Sequence, residues 1–503
     1  MKDWLKLKSG TDVRGVALPG YNDEEVNLTG DDCRVIAAVF AWWLAGQAGK
    51  PANELKLSIG MDSRLSSPDL LRDAADGMAS MGAVVLDCGL CSTPAMFMTT
   101  LPDTLNCDGA VMVTASHLPW NRNGLKFFTK GGGLEGSQVA GLLKLCAEGL
   151  PEPSARPGAI TRTAFLADYS AGLVSTVRLA TGSDLPLSGL KIVVDAGNGA
   201  GGFFVDGVLI PLGADTEGSQ FLMPDGRFPN HIPNPEEHEA MEAVCGAVKR
   251  SRADLGIIFD TDCDRAAVVG ADGREINRNR LVALMSAIVL EKYPGGTIVT
   301  DSITSTGLAA FIKGLGGVHR RFKRGYKNVI DEAVRLERQG VCAPMAIETS
   351  GHCALKDNYF LDDGAYLVTQ VLIKLASMHK AGKKLTDLIA ALAEPAEAAE
   401  LRFRITAADF KALGLPVLEK VKAAQVPGWQ TEAENYEGVR INSAAGKGWL
   451  LLRMSLHDPV MPLNIESDMP GGALVIAKEL APLLAGIEGL DTSALNKFIG
   501  QGR

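Results

Sequence analysis

Three aspartates stand at alternate positions, Asp260, Asp262 and Asp264, with Arg265 directly behind them. They interrupt an apolar stretch, LGIIFDTDCDRAAVV at 255–269. One strand-like run delivers the acids to its end and a second leads away. Ionised carboxylates gathered at a strand end repel one another. At about 4 Å and an effective dielectric of about 20, each pair costs roughly 4 kcal/mol. A hard divalent cation such as Mg²⁺ removes that cost and prefers carboxylate oxygens. A solvated turn with its acids splayed apart would have the same spacing, and the segment alone does not separate the two. Alternation turns Cys263 away from the acids, so it reads as packing.

VTASHLPWNRNGLKFF, 113–128, joins a strand to a loop bearing Ser116, His117, Asn123, Gly124 and Lys126. Neighbours on an extended segment point to opposite sides, which places His117 poorly as a base for Ser116. No GxSxG elbow surrounds the serine. A serine at a strand exit can carry a phosphoryl among backbone N–H donors, and an ordinary turn serine fits as well. ETSGH, 348–352, offers a carboxylate, a hydroxyl and an imidazole within five residues. It reads as a sugar-binding loop or as a polar turn. RMSLHDP, 453–459, puts Arg453, Ser455 and His457 at alternate positions after WLLL. Period-two spacing turns all three to one side, as a phosphate or an exposed strand face would require. Arg14 lies between glycines in GTDVRG, and the Asp62/Arg64 pair of GMDSRLSS reads as structural. Gly197, Gly199 and Gly202 match GxGxxG after KIVVD, with Asp215 near the place of a ribose-binding acid. Asp195 would bring negative charge toward a pyrophosphate, and FFVDGVLIPLG is a poor helix, so tight packing explains these glycines better than a dinucleotide does.

The elements that must hold these loops recur as an apolar run, a short loop and a helix-like segment. The pattern appears at 108–124, 191–202, 297–311 and 345–352. It predicts α/β layers with sites at strand ends. PEPSARPG at 151–158 marks an exposed connection, and AEPAEAAE at 393–400 reads as a second linker. Beyond it, WLLLRMSLHDPVMPLNIES and the helical LVIAKELAPLLAGI predict a smaller α+β unit. The expected domains are 1–165, 166–280, 281–397 and 398–503.

A chain of 503 residues needs several cores. Its net charge of −9 argues against a general nucleic-acid binder. No apolar stretch approaches the ~20 residues of a membrane span. The nine cysteines are scattered and odd in number, which fits reduced thiols. Cys88 and Cys91 form one CxxC with no second pair at zinc-ligand spacing. MKDWLKLKSG has no apolar signal core. The expected location is cytoplasmic, or plastid stroma had a transit peptide been removed.

In order along the chain, TASHLPWNRNGLK, DTDCDR, ETSGH and RMSLHDP resemble the phosphoserine, metal, sugar and phosphate loops of the α-D-phosphohexomutase superfamily. GTDVRG, GMDSRLSS, VVDAGNGAGG and PDGRFPNHIPNPE also match segments of that family. The resemblance implies an α/β fold of four domains around a central cleft, three similar α/β domains and a smaller α+β C-terminal domain. It implies interconversion of hexose 1-phosphate and hexose 6-phosphate through a hexose 1,6-bisphosphate. Ser116 would carry the phosphoryl and, with Asp260, Asp262 and Asp264, hold Mg²⁺. Lys126 would be the general base, its pKa lowered by neighbouring cations. Arg14, His117, Arg265 and His352 would complete the catalytic group. Glu348 and Ser350 would grip the sugar. Lys323, Tyr326, Arg453, Ser455 and His457 would complete the substrate contacts. The implied ligands are small-molecule hexose phosphates, with neither nucleic acid nor membrane as partner, for a monomer or homodimer.

The chain departs from the family pattern at Leu118, Thr261, Ala346, Ile347, Leu456 and His457, and in the 303 and 326 positions, Ile303 and Tyr326. These changes leave the metal and Ser–Lys chemistry intact and bear on the distal phosphate. The readings that remain are a glucose/mannose phosphate mutase, a phosphoglucosamine mutase, a hexose-1,6-bisphosphate synthase, and a non-catalytic sugar-phosphate-binding protein.

Overall fold

The computed structural model describes residues 2–149, 152–407, 409–455 and 458–501. Two compact units form, one from Met1–Leu281 with Ser350–Asp387, the other from Val282–Thr349 with Leu388–Arg503.

The first unit holds an eight-stranded sheet built around Gly109–Val113, all five of whose residues are buried. Lys56–Met61 runs parallel to it on one side, and Arg122–Thr129 antiparallel on the other. Asp12–Val16 pairs with Arg122–Thr129 and carries Arg14 beside Gly124. A Cβ at Gly124 would lie 2.0 Å from Val13 O and 2.8 Å from Arg14 Cδ, so only glycine lets the arginine cross this strand. The helix Gly30–Ala48 opens with a capping box between Thr29 and Asp32 and packs its apolar face on the sheet. A second, four-stranded sheet pairs Ile192–Asp195 in parallel with Leu255–Phe259, which then folds back onto Ala266–Gly270. Both of the latter strands are wholly buried, so the turn between them, 260–265, is fixed from both ends. The same unit contains the hairpin Cys353–Leu355 with Leu361–Asp362, followed by the helix Gly364–Lys380.

In the second unit, Thr297–Thr300 lies in parallel between Val318–Arg321 and Met345–Ile347. A six-stranded antiparallel sheet follows, in the order Trp429–Thr431, Val439–Ser443, Gly448–Leu452, Val460–Ser467, Glu397–Ile405, Leu490–Asp491. The helices Phe410–Lys422 and Gly472–Leu484 contribute to its core.

Several local expectations change. Of the four strand–loop–helix patterns, the one at 297–311 continues into a full helix, Thr306–Gly314. After Gly109–Val113 the chain makes a loop and returns as a strand, because Arg122–Thr129 pairs with Asp12–Val16 on one side and Gly109–Val113 on the other and is buried along its length. After Met345–Ile347 it also returns as a strand. The segment after Ile192–Asp195 breaks into 3₁₀ and π turns, as its Gly and Pro content demands. The glycines there are packing residues. A Cβ at Gly199 would meet Thr261 O at 2.8 Å, and one at Gly202 would meet Leu222 O at 2.2 Å. Asp195 is spent on Gly197 N–H, Gln220 and His231. The linker expected at 393–400 is a strand from Glu397 onward, since the Ala–Glu alternation has the two-residue period of a sheet.

All nine cysteines are unpaired. Burial pushes the Cys91 thiol up to about 12, which removes thiolate chemistry from the Cys88/Cys91 pair. Among the described residues, no helix is long and apolar enough to cross a membrane.

Candidate active site

Ser116 leaves its strand with φ of +49°, a left-handed conformation that a non-glycine residue seldom adopts. That turn corrects the expectation for His117. The two side chains fall on one side, with Ser116 Oγ 3.3 Å from His117 Nδ1. The loop is held from beneath by Arg64, which is buried and paired with Asp62. Arg64 donates to the backbone carbonyls of Ser116, Leu118, Pro119 and Arg122. The sequence alone gives this pair as structural; its hydrogen bonds beneath the Ser116 loop make it part of the site's support.

The acidic turn meets this loop. Ser116 Oγ donates to Asp260 Oδ2 at 3.1 Å and accepts from Arg265 Nη2 at 3.1 Å. Asp260, Asp262, Asp264 and Arg265 are all buried. Arg265 Nε donates to Asp260, and Nη1 reaches Asn234 and Glu236, which lock the guanidinium in place. Thr93, which sequence reasoning missed, donates its hydroxyl to Asp262 Oδ2 at 2.5 Å. Lys126 is paired with Asp264 and lies 3.5 Å from Asp262. The expectation placed cations around Lys126. The structure puts carboxylates against it, because the strand Arg122–Thr129 aims it at the acidic turn.

The donor set fits a divalent cation. One oxygen from each of the three aspartates can be chosen so that all lie within 4.8 Å of one another. Asp262 Oδ1 and Asp264 Oδ1 are buried and have no hydrogen-bond donor among the described residues. Two buried carboxylate oxygens without a donor are costly unless a cation meets them. Burial pushes the Asp260 carboxyl well above the usual range, and repulsion from Asp264 and Asp262 adds to it despite Arg265. Burial acts in the same sense on Asp264, but Lys126, His352 and Arg265 outweigh it and hold that carboxyl below the usual range.

His352 reaches this cluster from the hairpin that follows residue 350. An isolated antiparallel bridge joins it to Arg265. Its Nδ1 lies 2.6 Å from Asp362 Oδ2 and 3.9 Å from Asp264 Oδ1. Burial opposes its charge, but these two carboxylates prevail and raise the imidazole pKa to about 9. His117 is the opposite case. The Arg265 guanidinium, and then burial, push its pKa well below the usual value. Its Nδ1 accepts from Arg265 Nη2 at 2.5 Å, so that nitrogen is not free to take a proton from Ser116. Arg14 donates to Thr114 O and Asp12, one strand away from the acids. Ser350 Oγ is buried without a hydrogen-bond partner.

The second unit holds the remaining predicted residues. Glu348 is buried and accepts from Gly325 N–H at 2.6 Å, which ties it to the turn ahead of the helix Tyr326–Arg338. Lys323 is exposed in that turn, and Tyr326 opens the helix. Arg453 is buried beyond Gly448–Leu452, with its Nε lacking a hydrogen-bond partner among the described residues. Ser455 Oγ accepts from Asp458 N–H. His457 lies outside the described residues.

Comparison with known proteins gives a consistent result. Models of the phosphoglucomutase/phosphomannomutase alpha/beta/alpha domains I, II and III match residues 10–148, 167–273 and 277–396. A phosphomannomutase/phosphoglucomutase of Pseudomonas syringae is 31% identical over 433 residues, covering 85% of this chain and 87% of that protein. The phosphohexose mutases protein of Xanthomonas campestris is 32% identical over 439 residues, covering 85% of this chain and 91% of that protein. The crystal structure of a phosphoglucomutase/phosphomannomutase family protein from Burkholderia thailandensis superposes with a TM-score of 0.78 at 27% identity. That match covers 97% of this chain and 99% of the other.

Proposed function

The chain belongs to the phosphoglucomutase/phosphomannomutase family, and from that premise we propose a Mg²⁺-dependent mutase of glucose phosphates that also accepts mannose phosphates. Three α/β domains and a further sheet-containing C-terminal domain make up the chain, and the enzyme is a phosphohexomutase. The boundaries 165, 280 and 397 are part of the reading.

In this reaction Ser116 carries a phosphoryl group. The hydroxyl of a bound hexose phosphate attacks it. The Ser116 O–P bond breaks as the new sugar O–P bond forms, and Lys126 takes the hydroxyl proton. The hexose 1,6-bisphosphate then presents its other phosphate, Ser116 takes that group back, and Lys126 returns the proton to the sugar oxygen. Such transfers pass through a loose transition state, so catalysis consists of positioning and charge. Arg265 orients Ser116 and neutralises phosphoryl oxygens. Arg64 fixes the loop. His352, held by Asp362, and Arg14 keep positive charge at the proton transfer. Asp260, Asp262 and Asp264, with a phosphoserine oxygen, would hold Mg²⁺, which supplies positive charge to the transferring group and relieves Lys126 as counter-ion of the acids. Glu348 and Ser350 bind sugar hydroxyls, and Lys323 and Tyr326 complete the substrate contacts. Arg453, Ser455 and His457 bind the phosphate that is not reacting.

The observation that supports this reading most is the buried meeting of Ser116 Oγ with Asp260 and Arg265. The test is turnover of glucose 1-phosphate by the purified protein with Mg²⁺ and a trace of glucose 1,6-bisphosphate. Net glucose 6-phosphate is expected. No turnover of glucose, mannose or glucosamine phosphates would overturn the reading, and accumulation of bisphosphate would convert it to a synthase.

A further inference from the structure

Arg453 has an anion beside it already. Glu437 lies in the turn between Trp429–Thr431 and Val439–Ser443, with its Oε1 3.9 Å from Arg453 Nη1. Its Oε2 accepts from Ser302 Oγ at 2.5 Å and from Arg324 N–H at 3.1 Å. The next residue, Gly438, has φ of +57°, and a Cβ there would sit 2.7 Å from Arg453 Cβ and 2.2 Å from Leu452 O. That close approach brings the carboxylate against the guanidinium. Arg440 in turn donates to Ser302 O and Thr304 O, which fixes the turn bearing the Ser302 hydroxyl.

The pairing is incomplete. At 3.9 Å the Arg453–Glu437 contact is too long for a good charge-assisted hydrogen bond. Arg453 Nε is buried and has no hydrogen-bond partner among the described residues. A guanidinium presents a fork of donors that suits the several oxygens of a phosphate better than one distant carboxylate oxygen. A phosphate monoester also brings more charge and a third acceptor oxygen.

We propose that Glu437 is a resident counter-anion: it occupies the Arg453 site in the absence of ligand and is displaced when a phosphate monoester binds. The incoming phosphate then takes over the Ser302 hydroxyl and the Arg324 N–H as additional ligands. The assignment rests on the mutase reading, which gives Arg453 to the phosphate that is not reacting. Displacing a carboxylate opposes phosphate binding, because the fraction of protein with an open site sets the apparent affinity. The carboxylate therefore weakens the grip on the distal phosphate, a property of use to an enzyme whose bisphosphate must let go and turn over.

The test is Glu437→Gln in the full chain. The amide oxygen still accepts from Ser302 and Arg324, but its charge is gone. Calorimetric affinity for inorganic phosphate should rise at least about fivefold, the scale of one charge-assisted hydrogen bond over a neutral one. KM for glucose 1-phosphate should fall in parallel. Unchanged or weaker phosphate binding by a folded variant would overturn the proposal and make Glu437 a support for Arg453. Ser302→Ala is the second variant. It should weaken phosphate binding, and an unchanged affinity would equally contradict the assignment. If the parent protein turns over no hexose phosphate while E437Q binds phosphate more tightly, the mutase reading falls and the Glu437 assignment stands. If the parent is active and E437Q binds no more tightly, the Glu437 assignment falls alone.

Discussion

Ser116 Oγ lies 3.1 Å from Asp260 Oδ2, although 144 residues separate the two in sequence. The contact joins a left-handed turn at the end of one sheet to the acidic turn of another. A phosphoryl on Ser116 would therefore be formed and released beside three carboxylates. That arrangement is repulsive unless positive charge is added, and Arg265 and Lys126 supply only part of it.

Metal binding should consequently be visible in stability. Mg²⁺ at about 100 times its dissociation constant should add roughly 2.7 kcal/mol to unfolding free energy. Asp262→Asn should abolish the increment and lower turnover by about 100-fold or more, the usual loss when a preorganised charge is removed. Thermal melting with and without the ion checks this. An equal shift in the variant would mean that the ion binds elsewhere.

Lys126 stands between two roles, counter-ion of the acids and base in the reaction. Lys126→Met removes both. The variant should bind Mg²⁺ more tightly than the parent, since the ion no longer competes with an ammonium, yet turn over about 100-fold more slowly for want of a base. Weaker Mg²⁺ binding in the variant would remove Lys126 from the neighbourhood of the ion.

Arg64 supports the carrier loop through four carbonyls. Arg64→Ala leaves Asp62 buried without its partner, a change that costs about 3–5 kcal/mol. Arg64→Lys keeps the charge but loses the fork that spans the loop. The lysine variant should melt near the parent and show a depressed kcat with KM little altered. Added guanidinium should restore part of the activity of the alanine variant. A lysine variant with parental kcat would reduce Arg64 to a packing residue.

The sequence carried much of this account and missed identifiable parts. The order of four loops exposed the fold and the acid, serine and lysine positions. The strain at Ser116 was not legible, and alternation consequently put His117 on the wrong side. The buried positions of Arg64 and Thr93 were equally hidden, because each reaches the site through residues far away in the chain. Ala–Glu composition concealed the strand Glu397–Ile405, whose partners are supplied by Val460–Ser467 and Leu490–Asp491.

One pH effect lies away from the chemistry. Burial pushes the Glu466 carboxyl up to about 7, against Arg440 and the Trp449 indole N–H. An unfolded glutamate titrates near about 4.3. Between those values the folded state keeps a proton that the unfolded chain has lost, so stability falls as pH rises through this window and levels off above it. The contribution is at most roughly 4 kcal/mol. Urea unfolding at pH 5 and pH 8, in parent and Glu466→Gln, isolates it. The variant should lose less stability than the parent between the two, and identical pH slopes would remove Glu466 as the cause.

Intact-mass spectrometry after incubation with glucose 1,6-bisphosphate and Mg²⁺ reads the phosphoserine itself. The parent should gain one phosphoryl group, absent in Ser116→Ala, and should lose it when hexose 1-phosphate is added. A parent that gains no mass, or a Ser116→Ala protein that gains the same mass, would contradict Ser116 as the phosphoryl carrier.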